Sequence, residues 1–106
     1  MGATLSELAE RIAQVSDVYA ARTGVQRDDD WYPLKIMEEA GELAAEHLRL
    51  SGRGRRNGNT PDEIAQARDD EVADLFAMVV LYCQHNGIDI EAALERKWFK
   101  HLKATQ

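Results

Sequence analysis

An all-α fold, a four-helix bundle-like domain over residues 1–106, is what this chain predicts, and three observations carry the prediction. Apolar residues recur at three-to-four spacing in four segments. Each segment opens or closes on a helix-capping signal, and no stretch alternates polar and apolar residues as a strand would. A chain of 106 residues, 44% hydrophobic and 30% charged, suits one soluble globular domain with a real core.

The first helix begins at Thr4, where Thr4 and Glu7 form a capping box, and carries Leu5, Leu8, Ile12, Val15 and Tyr19 on one stripe. It ends near Thr23-Gly24. The same N-terminus, Met1-Gly2-Ala3-Thr4-Leu5-Ser6, fits a loose myristoylation pattern, but the cap is the preferred reading. Asp30 is the expected N-cap of the second helix, with Pro33 in the opening turn, where its missing N–H costs little. That helix runs to about Leu50. Leu34, Met37, Gly41, Ala44 and Leu48 form its apolar face, and Lys35, Glu39, Glu42, Glu46 and Arg49 another.

Residues 51–59, SGRGRRNGN, contain three glycines and three arginines without an apolar anchor, and predict a mobile loop. Thr60-Pro61-Asp62-Glu63 is a strong helix start, and the third helix continues to about His85 before stopping at Asn86-Gly87. Asp89 caps a fourth helix bearing Ile90, Ala93, Leu94, Trp98 and Leu102. After Asp74 the third helix is apolar nearly all round, and three partner helices can hardly enclose it. A homodimer in which this helix meets its copy, with a dimer of dimers as an extension, is therefore expected.

The charge balance excludes several functions. Thirteen basic against nineteen acidic residues give −6, which disfavours a general nucleic-acid binder. The apolar run around Cys83, residues 75–83, is too short to span a bilayer, and the N-terminus lacks the layout of a secretion signal. One cysteine permits no disulfide within the chain. A cytoplasmic protein without membrane or nucleic-acid partners is the expectation.

The chemistry lies in two acidic signatures, Glu38-Glu39-Ala40-Gly41-Glu42 and Glu71-Val72-Ala73-Asp74. Residues three apart on a helix are surface neighbours, so Glu39 pairs with Glu42 and Glu71 with Asp74. Should the two helices pack together, four carboxylates converge in a partly dry space and each resists ionising. A hard divalent cation resolves the repulsion, and Mg²⁺ (Mn²⁺ being the alternative) serves sites that handle phosphate groups. Small Gly41 and Ala40 are expected to let the helices approach closely. Alone, Glu-x-x-Glu also describes an ordinary solvated face.

Glu39-x-x-Glu42, 28 intervening residues, and Glu71-x-x-Asp74, with the surrounding Lys35-Ile36-Met37-Glu38, Asn86-Gly87-Ile88-Asp89-Ile90 and Lys97-x-x-Lys100, resemble the signature of the MazG-like all-α nucleoside triphosphate pyrophosphohydrolases over roughly residues 31–101. That resemblance implies a dimerising bundle in which Mg²⁺ is bound and a nucleoside triphosphate is cleaved between its α and β phosphates to a monophosphate and pyrophosphate. It implies Glu39, Glu42, Glu71 and Asp74 as metal ligands. Glu38, with Glu39 the catalytic pair, becomes a further ligand or the group that orients and deprotonates the attacking water. Lys35, Lys97 and Lys100 match positions of that family and are candidates to meet phosphate oxygens, against the alternative of solvated charges or helix-dipole partners.

Arg53, Arg55 and Arg56 suit phosphate geometry and offer a clamp over the triphosphate, with Arg55 at its centre; a plain surface loop is the alternative. Trp31 or Tyr32 offers a stacking face for a base, and Trp98 or Phe99 does so across a dimer, against the alternative of core packing. His47, His85 and His101 lack metal-ligand spacing and read as bystanders. A di-metal oxidase bundle would need Glu-x-x-His motifs, and Ala44, Tyr82 and Trp98 stand where its glutamates belong. Phosphoribosyl-ATP pyrophosphohydrolase, which shares the acids, and a non-enzymatic helical regulatory or interaction module remain the rival functions.

Overall fold

The computed structural model describes residues 2–104, all-helical with no strand among them. Helix α1 spans Leu5–Thr23, α2 Trp31–Leu50 and α3 Pro61–Asn86. A shorter arm follows, made of α4 (Ile90–Leu94), a π-helical turn (Glu95–Phe99) and α5 (Lys100–Ala104).

The caps fix these boundaries. Thr4 and Glu7 close a capping box on α1, Thr60 and Glu63 close another on α3, and Asp89 accepts from the Ala92 amide at 3.1 Å. Gly24 and Gly87 take the left-handed conformation that ends α1 and α3 (φ 71° and 65°), which a side chain would strain. The start of α2 differs from expectation. Asp30 makes no side-chain cap; Asp28 does the work, accepting from the amides of Asp30 at 3.1 Å and Trp31 at 2.9 Å.

Helix α2 packs lengthwise and antiparallel on α3, and α1 leans on α3 beside them. Tyr32, Met78 and Leu81 form the small buried core, with Ile12, Trp31, Ile36 and Tyr82 against it. His85, far from a bystander, stacks on Tyr32 (centroids 4.5 Å apart) and pairs with Asp29 at 2.8 Å, fastening the α1–α2 connection to the end of α3.

The inward face of α2 mixes core residues, Tyr32 and Ile36, with charged ones, and leaves out much of the expected apolar stripe. Glu39 is buried and Lys35, Glu46 and Arg49 are partly so, whereas Leu34 and Met37 are 64% and 73% exposed. Nothing would touch a Cβ at Gly41, so the small residues there serve no close approach. On α1, Val15 and Tyr19 are likewise exposed, and α3 shows Val72, Phe76 and Val79 to the outside. The radius of gyration is 16.8 Å, against about 13 Å for a compact chain of this length. The four-helix bundle-like domain is thus an open arrangement of α1, α2 and α3 with the fourth helix as an arm. That fourth helix runs from Ile90 to Ala104 with a π-helical turn inside it, and Trp98 and Leu102 on it are exposed.

The glycine- and arginine-rich loop folds back on the end of α2. Arg49 accounts for it: its guanidinium holds both oxygens of Glu46 at 2.9 Å and donates to the carbonyls of Arg55 (2.8 Å) and Arg56 (3.0 Å) and to Asn59 Oδ1 (2.6 Å). The amides of Arg53 and Gly54 turn back onto the Leu48 carbonyl, and a Cβ at Gly54 would lie 3.1 Å from the Arg49 nitrogen. Arg49→Ala is expected to cost about 2 kcal/mol, since several charge-assisted hydrogen bonds go at once. Hydrogen exchange should show the Arg53 and Gly54 amides losing protection; unchanged protection there would deny Arg49 this role.

Candidate metal centre

Midway along the α2–α3 contact, residues three or four apart present carboxylates from both helices to one spot. One oxygen each from Glu39, Glu42 and Glu71 lies within 4.8 Å of the others. Glu39 is buried, Glu71 partly buried and Glu42 exposed, so the group sits at the edge of the packed interface and opens to solvent on one side. Asp74 is exposed and falls outside this triad, yet it is near enough for its charge to act on both Glu39 and Glu71. Three of the four expected ligands thus converge, and the fourth flanks them.

The electrostatics are those of crowded like charges. Burial pushes the Glu39 carboxyl up, the charges of Glu42 and Asp74 and a shared hydrogen bond with Glu42 push it further, and Lys35 pulls it back. Glu71 is pushed up to about 7, first by burial, then by a hydrogen bond with Glu42 and by the charges of Glu42, Asp74 and Glu39. A hydrogen bond between two carboxyls exists only while one is protonated. Otherwise Glu39 Oε2 and Glu71 Oε2 are buried with no hydrogen-bond donor. Such atoms demand a partner, and an all-oxygen set of this charge fits a hard divalent cation, Mg²⁺ or Mn²⁺.

Lys35 stands one turn before Glu39 on α2, and Glu38 is its immediate neighbour in the chain. The Lys35 ammonium meets both Glu38 oxygens at 3.2 Å and Glu39 Oε1 at 3.7 Å. Burial alone would lower its pKa, but the hydrogen bond to Glu38 and the charges of Glu38 and Glu39 outweigh burial and raise it. Glu38 is half exposed and held by this ion pair beside Glu39.

Other expected site residues lie elsewhere. Arg55 belongs to a loop that starts nine residues beyond Glu42, about 14 Å along the helix, and neither its guanidinium nor those of Arg53 and Arg56 bonds the acids; all three are exposed. Lys97 and Lys100 follow the end of α3, fifteen residues past Glu71, about 22 Å along the axis. Trp31 is close by, edge-on to Tyr32 at 5.0 Å and lining a cavity that Glu39 and Asp74 also line. Sequence reasoning missed the contribution of α1 to that cavity, through Ile12, Ser16 and Tyr19. Only the apolar stripe of α1 hinted at it.

No protein-family model, curated protein or solved structure matches this chain.

Proposed function

We propose that this chain is a Mg²⁺-dependent nucleoside triphosphate pyrophosphohydrolase, cleaving between the α and β phosphates to a nucleoside monophosphate and pyrophosphate. One observation carries the reading: three carboxylate oxygens from two helices within 4.8 Å, two of the carboxyls holding a buried oxygen without a donor. Glu39, Glu42 and Glu71 would hold the ion, with Asp74 beside them, and the resemblance of these motifs to the MazG-like superfamily supports the same choice. A bound divalent ion supplies charge neutralisation at phosphate oxygens and acidifies water.

The chain's own groups do the rest. Glu38 accepts the proton of the water that attacks the α–β anhydride, and its place next to Glu39 keeps that proton transfer at the ion's edge. Lys35 restrains Glu38 and offers its ammonium to a phosphate oxygen as the carboxylate turns to its task. Purified protein with Mg²⁺ and a panel of ribo-, deoxyribo- and phosphoribosyl-nucleotides should release pyrophosphate and monophosphate in equal amounts, and none in EDTA. Absence of pyrophosphate with every nucleotide would overturn the proposal, and turnover of phosphoribosyl-ATP alone would favour the rival substrate.

The working form we propose is a homodimer. Val72, Phe76 and Val79 make an exposed apolar stripe on α3, and Leu34 and Met37 are exposed on α2; an open monomer leaves such surface in water at a cost. In a dimer the exposed Lys97 and Lys100 are also available to the partner's substrate. Light scattering should give twice the chain mass of 11.9 kDa, and Phe76→Glu should return the monomer mass. A monomeric parent protein at micromolar concentration would contradict this.

A further inference from the structure

A second cavity, of about 330 Å³, lies where α1, the latter half of α3 and the base of the arm meet, with no α2 residue in its wall. Leu5, Ala9, Phe76, Val79, Cys83 and Leu94 make that wall apolar, and it shares Phe76 and Val79 with the exposed stripe of α3. Asp89 and Glu91, both exposed, line it as well and give it a negative rim.

The arm that forms one wall also leaves the body. Ile90 and Leu94 line the cavity and are partly buried. Trp98 follows Leu94 by four residues, one turn further along the same side, and there its own chain leaves the indole 66% exposed. Charge divides at the same point: residues 96–106 hold four of the thirteen basic residues and none of the nineteen acids. The tip of the arm is thus basic around an exposed aromatic, and its base is acidic around an open apolar groove.

The two halves complement each other, yet one chain cannot join them, because they are successive turns of the same helical arm. Trp98 stands six residues beyond Ala92, the middle of α4, about 9 Å along the axis. Two copies can. Laid antiparallel about a two-fold axis near Glu95, the arms set each tip on the other's base, with position 98 opposite position 92. A surface that carries both halves of a contact in matching register is what an isologous interface requires.

We infer that this cavity receives Trp98 of a second copy, so that two arms cross reciprocally, tip on base, and the partner's Asp89 and Glu91 face the basic tip. The inference rests on the homodimer proposed above and names the surfaces that lock it. Phe76 and Val79 continue the contact onto α3. An indole seated in an apolar pocket with a charged rim around it has the make-up of an interface anchor, and the opposite charges of tip and rim favour this partner over a body of like charge.

Light scattering across a dilution series, paired with diamide oxidation of the full chain, tests this. Trp98→Ala, at an exposed position outside the core, should weaken dimerisation at least tenfold, the scale on which loss of a central anchor registers. One turn beyond Trp98, Leu102 is carried toward the partner's Ile88, whose amide in each chain donates to the Cys83 carbonyl at 2.8 Å. Leu102→Cys should therefore form a disulfide with the partner's Cys83 that doubles the mass on a non-reducing gel, and the same variant with Cys83→Ala should not. A dimer as tight in Trp98→Ala as in the parent, or no disulfide that depends on Cys83, would overturn the inference and leave the dimer standing. A monomeric parent protein would overturn both, and its sedimentation with phosphatidylserine vesicles would assign the arm to a lipid surface instead. Dimerisation through Trp98 without pyrophosphate release from any nucleotide would leave the arm contact standing and remove the hydrolase reading.

Discussion

Glu71→Gln is expected to lower pyrophosphate release by about 10²–10³-fold or more while making the metal-free protein harder to melt. Both effects come from one carboxylate. In the proposed metal site it would be a ligand, and loss of a group that stabilises charge at the reacting phosphates costs on that scale. In the metal-free site it is one of several like charges at close quarters, held up to about 7 by burial and by Glu42, Asp74 and Glu39. Gln keeps the volume and removes the repulsion. The gain, discounted for solvent screening on the open side, is about 1–2 kcal/mol at neutral pH, and a domain of this size converts each kcal/mol into roughly 4–8 °C of melting temperature. Calorimetric melting in EDTA, paired with a pyrophosphate assay, reads both. A variant that melts lower and still turns over at the parent rate would refute both halves.

Stability in the absence of metal should fall as pH rises from about 4.5 to about 7, opposite to the trend of an ion-paired acid. The sign follows from proton counting. Glu71 has its pKa raised from 4.5 to about 7 in the fold, and Glu39 is raised as well. Across that window the native chain binds more protons than the unfolded one, so the stabilisation present at acid pH is lost with increasing pH and the curve levels off above 7. Mg²⁺ should reverse this. It replaces the protons, so its affinity tightens between pH 6 and 8, and at a hundred times its dissociation constant it adds about 2.7 kcal/mol. Melting curves at pH 5.5 and 8, each with EDTA or Mg²⁺, should therefore show a small Mg²⁺ effect at 5.5 and a large one at 8. Equal effects at the two pH values would mean that the ion binds without displacing protons from these acids.

The features legible in the sequence were those set by neighbours in the chain. Thr4 with Glu7 and Thr60 with Glu63 are local hydrogen-bonding units, and Gly24 and Gly87 meet a local backbone requirement, so helix limits were readable to within a residue or two. The acid pairs were readable for the same reason, since i, i+3 spacing places them on one face. What escaped depends on which faces meet. Leu34 and Met37 outweigh Lys35 and Glu39 in hydrophobicity, yet Glu39 is buried and Lys35 partly so, beside the core residues Tyr32 and Ile36, while Leu34 and Met37 stay exposed. The order of the arginine loop rests on Arg49 reaching residues up to ten positions away, and no spacing rule announces that. The π-helical turn at Glu95–Phe99 carries no proline or glycine to mark it, and the part played by α1 in the cavity depends on its tilt across α3.

Diffraction from crystals grown with Mn²⁺, collected where manganese scatters anomalously, tests the shared ion most directly. An anomalous peak is expected within coordinating distance of carboxylate oxygens from Glu39, Glu42 and Glu71, contributed by α2 and α3 together. Carboxylates turned apart into solvent, or manganese bound only elsewhere on the chain, would contradict it.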